Sequence, residues 1–379
     1  MTDDVMALLP ERPRVLALGE PTHFEDSLLR VRNDLFRQLV EREGFRVIAI
    51  ESDCLMGLLV DDYVVHGAGS LDEVMERGFS HEFGTMAGNR ELVRWMRAYN
   101  ENRPLPERVR FAGFDGPLEI TGGASPREAL TGLHGFLSGR VEAMPCTVAE
   151  LDRLIGDDGR WPNPDAMMDP SQSVGRTAEA QQLRLLAGDL VALLDSEMPH
   201  LIATSTEDEW RKARLYGRTA TGLLLYHHWM ADSSPARLPR VLGQRALMMA
   251  ANLMAETERG PVMAFAQNSH LQRAKSSIRL GGPLLHWWSA GSIVAAQLGR
   301  GYAFVATALG TIRRRGVETP PINTIEGLLY ATAGDRFVVD PRELPAGAEP
   351  RVSSWFGYAP LDPAHLPSID AIVYVKDAD

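Results

Sequence analysis

The stretch Val15-Leu16-Ala17-Leu18-Gly19-Glu20-Pro21-Thr22-His23 decides the fold. Four apolar residues and a glycine run straight into an acid and a histidine. A run this short, apolar on both faces and closed by turn residues, reads as a strand buried on both sides, as in a parallel sheet. The signature returns three times. Val47-Ile48-Ala49-Ile50 meets Glu51 and Asp53; Phe111-Ala112-Gly113-Phe114 meets Asp115; Val262-Met263-Ala264-Phe265-Ala266 meets Gln267, Asn268 and His270. Open parallel sheets bind ligands beyond the carboxyl ends of their strands. The pattern therefore predicts three carboxylates (Glu20, Glu51, Asp115) and two imidazoles (His23, His270) along one rim of one sheet.

Outward from these runs, strand and helix patterns alternate between about residues 12 and 118, the mark of α/β units. Leu28, Val31, Leu35, Phe36, Leu39 and Val40 recur at helical spacing after Asp26, and Leu92, Val93, Trp95, Met96 and Tyr99 form a second helical stripe. After Pro117 helical stretches dominate: 130–137, 148–155, 176–194, 207–230 and 242–258. Strand character returns at 261–266, 302–309, 336–339 and 369–375. The expected fold class is α/β, a mostly parallel central sheet flanked by helices. The core is discontinuous, residues 1–120 and 259–379, and a large helical insertion, 121–258, caps the C-terminal edge of the sheet.

The chain has 379 residues, 45% of them hydrophobic, enough for a large core. Its formal charge of −11 argues against nucleic acid or an anionic membrane as partner and leaves a small molecule. No apolar run is long enough to span a bilayer. The acidic start Met1-Thr2-Asp3-Asp4 has no signal-like core, and the two cysteines, Cys54 and Cys146, show no metal spacing, so a reduced, cytoplasmic protein is expected.

The chemistry concentrates in Glu20-Pro21-Thr22-His23. A histidine in a strand-to-helix turn suits a general base, and a carboxylate three residues earlier can orient its ring and fix its tautomer. The plainer reading is a capping box made by Thr22 and Glu25. Arg32 falls in the apolar stripe of the following helix with Leu28, Leu35 and Leu39, whereas Arg30, Asn33 and Arg37 fall on the outer side. A buried guanidinium needs partners, and Glu20, Glu51 and Asp115 are the expected ones; the alternative is that its head snorkels to water. For His23 and Arg32 to face one cavity, His23 must lie in the loop and the helix must begin near Asp26 or Ser27, because nine helical positions put two residues half a turn out of phase. His270 reads as an electrophilic stabiliser or as a surface-loop histidine, and His81 as a group lining the cleft. No G-x-S-x-G elbow, P-loop, dinucleotide fingerprint or H-E-x-x-H occurs, which favours attack by an activated water or substrate hydroxyl.

Gly19-Glu20-Pro21-Thr22-His23, Arg32, Ala49-Ile50-Glu51, Gly113-Phe114-Asp115, Arg245 through Asn252 and Gln267-Asn268-Ser269-His270, taken together and in this order, resemble the erythromycin esterase family. The resemblance implies a metal-independent, cofactor-free hydrolase opening a lactone with a histidine-activated water: His23 as base, with Glu20, Arg32 and Glu51 around it. The chain departs from the family pattern at three places. Gln267 stands where a first histidine of H-N-x-H is usual, Ala246 stands where R-D-x-x-M has its acid, and a glutamate usual near Gly88 is absent.

Together these readings predict an enzyme acting on an ester or lactone of a small natural product. His23, Glu20, Glu51, Arg32 and His270 are the expected catalytic set. Asp115, Gln267, Asn268, His81 and Asp53 are expected to contact substrate, and no metal or cofactor is expected. Gln267 can hydrogen-bond but cannot act as an acid. It opens two alternatives: a non-hydrolytic acyl transfer, cyclisation or elimination with His23 as base, and a silent binding protein.

Overall fold

The computed structural model describes residues 1–119, 122–280, 282–345 and 347–378. The central sheet contains β1 (Val15–Glu20), β2 (Val47–Asp53), β3 (Arg110–Asp115), β4 (Val262–Gln267), β5 (Tyr302–Thr311), β6 (Arg336–Val339) and β7 (Ala371–Asp377), in the order β6-β7-β5-β1-β4-β2-β3. β1 runs parallel to both β4 and β5, β4 parallel to β2, and β5 parallel to β7; β6 is an antiparallel edge. Each apolar run quoted above is a strand. β1 and β2 are buried at every position, as the absence of alternation requires.

The chain builds outward from β1 in one direction, returns to insert β4 between β1 and β2, and only then adds β5 and β7 on the other side of β1. The sheet order therefore reverses at β1, the place where open parallel sheets form a crevice. The helix Asp26–Glu43 packs Leu28, Val31, Leu35 and Leu39 into the core with Leu16, Ile48, Met263 and Phe265. It ends at Gly44, whose φ of 64° is the left-handed stop that glycine adopts without strain.

The chain divides into two compact units, Met1–Phe114 with Leu253–Asp379, and Asp115–Asn252. The first carries the sheet. The second is helical, with helices at Arg127–Leu137, Val148–Ile155, Ala178–Ser196, Met198–Thr204 and Glu207–Met230, and much of Arg237–Glu256. Its core includes Leu223, Tyr226, Met230, Val241 and Met248. The junction expected at 120/121 falls on two residues outside the described ones. Among the described residues no helix is long and apolar enough to cross a membrane.

Candidate active site

The helix begins at Asp26 and leaves His23 in the preceding loop, the arrangement that the half-turn argument requires. The capping box does not form: the helix has no side-chain cap, and the Thr22 hydroxyl lies 3.3 Å from the His23 carbonyl. Glu25 instead is buried against Arg314 and Arg315. Phe24 takes a left-handed φ of 63°, and across the site His81 and Glu82 take 55° and 59°. Side chains with a Cβ rarely occupy this region, and such strain collects at functional loops. The Phe83 ring beside them lies 5.4 Å from the His23 ring, 5.5 Å from Phe24 and 5.6 Å from His81.

Acids and imidazoles alternate along the rim. His23 Nδ1 lies 2.7 Å from Glu20 Oε1. His23 Nε2 lies 3.9 Å from Glu51 Oε2, and Glu51 Oε1 lies 3.1 Å from His270 Nε2. Glu20 and Glu51 are buried; the His23 side chain keeps 27% of its surface exposed and is the most open of the four. Burial raises the Glu20 carboxyl above its ordinary range; the bond and charge of His23 oppose this, Glu51 adds to it, and Arg32 opposes it. Glu20 Oε2 is buried without a hydrogen-bond partner. It borders a pocket shared with Arg32, Glu51, Asn89 and Phe265, whose free volume of about 10 Å³ is on the order of one water.

The ends of the strands explain how these groups converge. β1 pairs with β4 as far as Glu20↔Gln267 but with β5 only as far as Leu18↔Val305. Beyond that point the Asn268 carboxamide takes over from β1: its Nδ2 donates to the Thr307 carbonyl (3.0 Å) and its Oδ1 accepts the Thr307 N–H (3.2 Å). This crossing needs Gly19, since a Cβ there would lie 2.2 Å from Asn268 Oδ1. β2 pairs with β4 as far as Ile50↔Phe265, and the Glu51 carboxylate then accepts the Gln267 N–H at 2.9 Å. Side chains thus replace strand ladder bonds on both sides of the β1–β4 pair, at the rim where the imidazoles sit.

Arg32 corrects the expected pairing. It is fully buried, but none of its hydrogen bonds reaches a carboxylate. Nη1 donates to Asn89 Oδ1 (2.7 Å), Nε and Nη2 donate to Asn33 Oδ1 (3.0 and 2.7 Å), and Nη2 also approaches the Gly88 carbonyl (3.4 Å). Its charge lies over the Phe265 ring at 5.0 Å. Burial lowers its pKa to about 10, with Glu20 the foremost charge opposing that fall. Asn33, read above as outer-facing, is buried, because the helix packs against the sheet on one side and the helix Ala87–Asn100 on another. Asn89 was not foreseen. The one signal for it was the missing glutamate near Gly88, since a neutral amide stands in that neighbourhood.

Asp115 is fully buried in the helical unit, where Arg245 grips it with contacts of 3.0 Å (Nε) and 2.6 Å (Nη2). Its oxygens are held by the protein, contrary to a substrate contact. Asp53 Oδ1 accepts the N–H groups of Leu55 and Met56 and forms the turn into the helix Gly57–His66. Asn268 is the bridge described above. Of the five residues expected to contact substrate, these three serve the fold. Gln267 is half-buried, its Oε1 accepting from Ser269 Oγ at 2.5 Å. His81 borders the Phe83 ring. Among the described residues no group of three or more His, Cys, Asp or Glu is arranged to hold a metal ion.

A family model described as erythromycin esterase matches residues 40–375. The chain belongs to the erythromycin esterase family. The match covers Glu51, Asp115, Arg245, Gln267 and His270, and Glu20, His23 and Arg32 precede it. The erythromycin esterase type II of Escherichia coli is 32% identical over 104 residues, 27% of this chain and 24% of that protein, so the aligned stretch spans about a quarter of that relative. Solved structures share the fold over nearly the whole length. A Bacillus cereus protein has a TM-score of 0.74 at 17% identity, covering 100% of this chain and 92% of that one. A succinoglycan biosynthesis protein has 0.71 at 16%, covering 99% and 90%. A mutant of the erythromycin esterase EreC in its open conformation has 0.71 at 20%, covering 99% and 93%.

Proposed function

We propose that the chain hydrolyses an ester or lactone of a small natural product, using a water activated by His23 and no metal. The observation that carries this reading is the 2.7 Å contact between His23 Nδ1 and buried Glu20, on a side chain that stays 27% exposed. With the Nδ1 hydrogen on Glu20, the Nε2 lone pair is the base. It takes a proton from water as the oxygen attacks the carbonyl carbon; the imidazolium that forms, flanked by Glu20 and Glu51, returns that proton to the leaving alkoxide as the acyl C–O bond breaks. His270 holds Glu51 in place through Nε2. The half-buried Gln267 carboxamide donates to the developing oxyanion. Arg32, sealed among amides, acts on Glu20 rather than on the substrate. Phe24, Phe83 and His81 form the wall beside the base.

Gln267 favours a second reading. A carboxamide cannot protonate a leaving group, so the same base would serve equally well where a substrate hydroxyl attacks its own carbonyl. One experiment separates the readings. The protein is incubated with a panel of esters and lactones, erythromycin among them, and the products are weighed by mass spectrometry. Hydrolysis adds the mass of one water to a lactone, or to the summed fragments of an ester, and transfer within one molecule leaves the mass unchanged. Either is abolished in His23→Ala and survives exhaustive chelation. Tight binding without product, indifferent to His23→Ala, would leave a binding protein instead.

A further inference from the structure

Arg32 is a fully buried cation whose hydrogen bonds all end on neutral acceptors: the Asn33 and Asn89 carboxamides and the Gly88 carbonyl. The cradle is itself braced. Asn33 Nδ2 donates to the Gly88 carbonyl at 2.8 Å, Asn89 Nδ2 donates to the Phe83 carbonyl at 2.8 Å, and the Gly88 N–H donates to Asp26 Oδ1 at 2.8 Å. Phe83 is also the ring against His23. A guanidinium usually meets a buried carboxylate in a bidentate pair. Here Glu20 borders the same small pocket with one oxygen unpartnered, yet the guanidinium is not bonded to it. Amides can anchor the cation without neutralising it, so its field still falls on Glu20.

We propose that Asn89, together with Asn33, is a positioning residue for the Glu20–His23 pair: the two amides fix Arg32 as a cation beside Glu20 but without a hydrogen bond to it. The cation then opposes the burial that favours the protonated acid, and the hydrogen bond of Glu20 goes to His23. The groups acting on Arg32 are Glu20 from β1, Asp26 from its own helix and Glu91 from the helix Ala87–Asn100; those acting on Glu20 are His23, Glu51 and Arg32. The catalytic meaning of this device rests on His23 being the base, but the device can be read without turnover. Inactivity on every ester would sink the proposed function and leave this inference standing.

The test is a pH titration of the Glu20 side-chain carbon by NMR on protein labelled at glutamate, with Glu20→Gln assigning the signal. Asn89→Asp keeps the acceptor and neutralises the cation. Glu20 should then titrate about one pH unit higher than in the unaltered protein, the scale of losing a unit charge several ångströms away. Asn89→Leu removes the acceptor and frees the guanidinium to close on Glu20, which should titrate lower. The two variants thus move the same signal in opposite directions. Should Asn89→Asp not fold, Asn33→Asp applies the same charge from the other side. A loss of thermal stability with the Glu20 titration unmoved, or a shift of the same sign in Asn89→Asp and Asn89→Leu, overturns the proposal.

Discussion

Glu20 and Asp115 each end an apolar strand, and each is buried, but they have opposite surroundings. Asp115 is gripped through both nitrogens of Arg245 and needs nothing more. Glu20 has one oxygen on a half-open imidazole, the other unpartnered, and its nearest arginine tied to amides. A buried acid satisfied by a bidentate arginine holds a fold together; one facing an imidazole, with a guanidinium held off, can alter the basicity of its neighbour. The arginines teach the same lesson from the other side, since Arg245 is neutralised by its partner and Arg32 is not.

Amide swaps should break this symmetry. Glu20→Gln keeps the shape of the acid but lets the His23 ring lose its tautomer, so turnover should fall on the order of 10³-fold with little change in melting temperature, as steady-state kinetics and calorimetry would show. A loss confined to stability would make Glu20 a second Asp115.

The units should also part with pH. His227, buried in the helical unit with Nε2 against the Ala124 carbonyl, has its pKa pushed down to about 4 by burial. A depressed base stabilises the fold in its neutral form, so this contribution is complete above pH 6.5 and is lost as pH falls toward 4. The loss is about 3 kcal/mol for that shift. Glu20, raised by burial, has the opposite sign: its protonated form favours the fold at acid pH, and that support goes as pH rises through its folded value. Hydrogen exchange should therefore show the helix Glu207–Met230 losing protection between pH 6.5 and 4, and His227→Gln should flatten that response.

Asp115→Asn leaves the partly exposed Arg245 without its counter-charge and should destabilise by roughly 2 to 3 kcal/mol in denaturant titration, while folded protein keeps its turnover. The smallest effect should come from the rim. Gly19→Ala forces a Cβ onto Asn268 and should destabilise by about 2 kcal/mol. Unchanged denaturation would mean that the Asn268 bridge is dispensable.

Much of this was legible from apolar runs alone. A strand buried on both faces cannot alternate, so β1, β2, β3 and β4 announce themselves, and the helices at Val148–Ile155 and Glu207–Met230 fall where the spacing puts them. Counting residues per turn puts His23 in the loop if it shares a cavity with Arg32, and the helix does begin after it, at Asp26. Asn33 was misread because a single apolar stripe was assumed for a helix that packs on two neighbours. A short polar side chain at a strand end, such as Asp53 or Asn268, looks the same in sequence whether it meets a ligand or a backbone amide.

The order of apolar runs and their acidic ends by itself determined the α/β class and the rim, and offered the Glu20–His23 pair beside a capping box, because these depend on periodicity and on neighbours three residues apart. Which carboxylate each arginine meets, and which strand-end side chains replace ladder bonds, depended on contacts between residues far apart in the chain. Asn89 lies 57 positions from Arg32 and Arg245 lies 130 from Asp115. No local pattern encodes such distances, and only packing decided that one guanidinium would be neutralised and the other left charged.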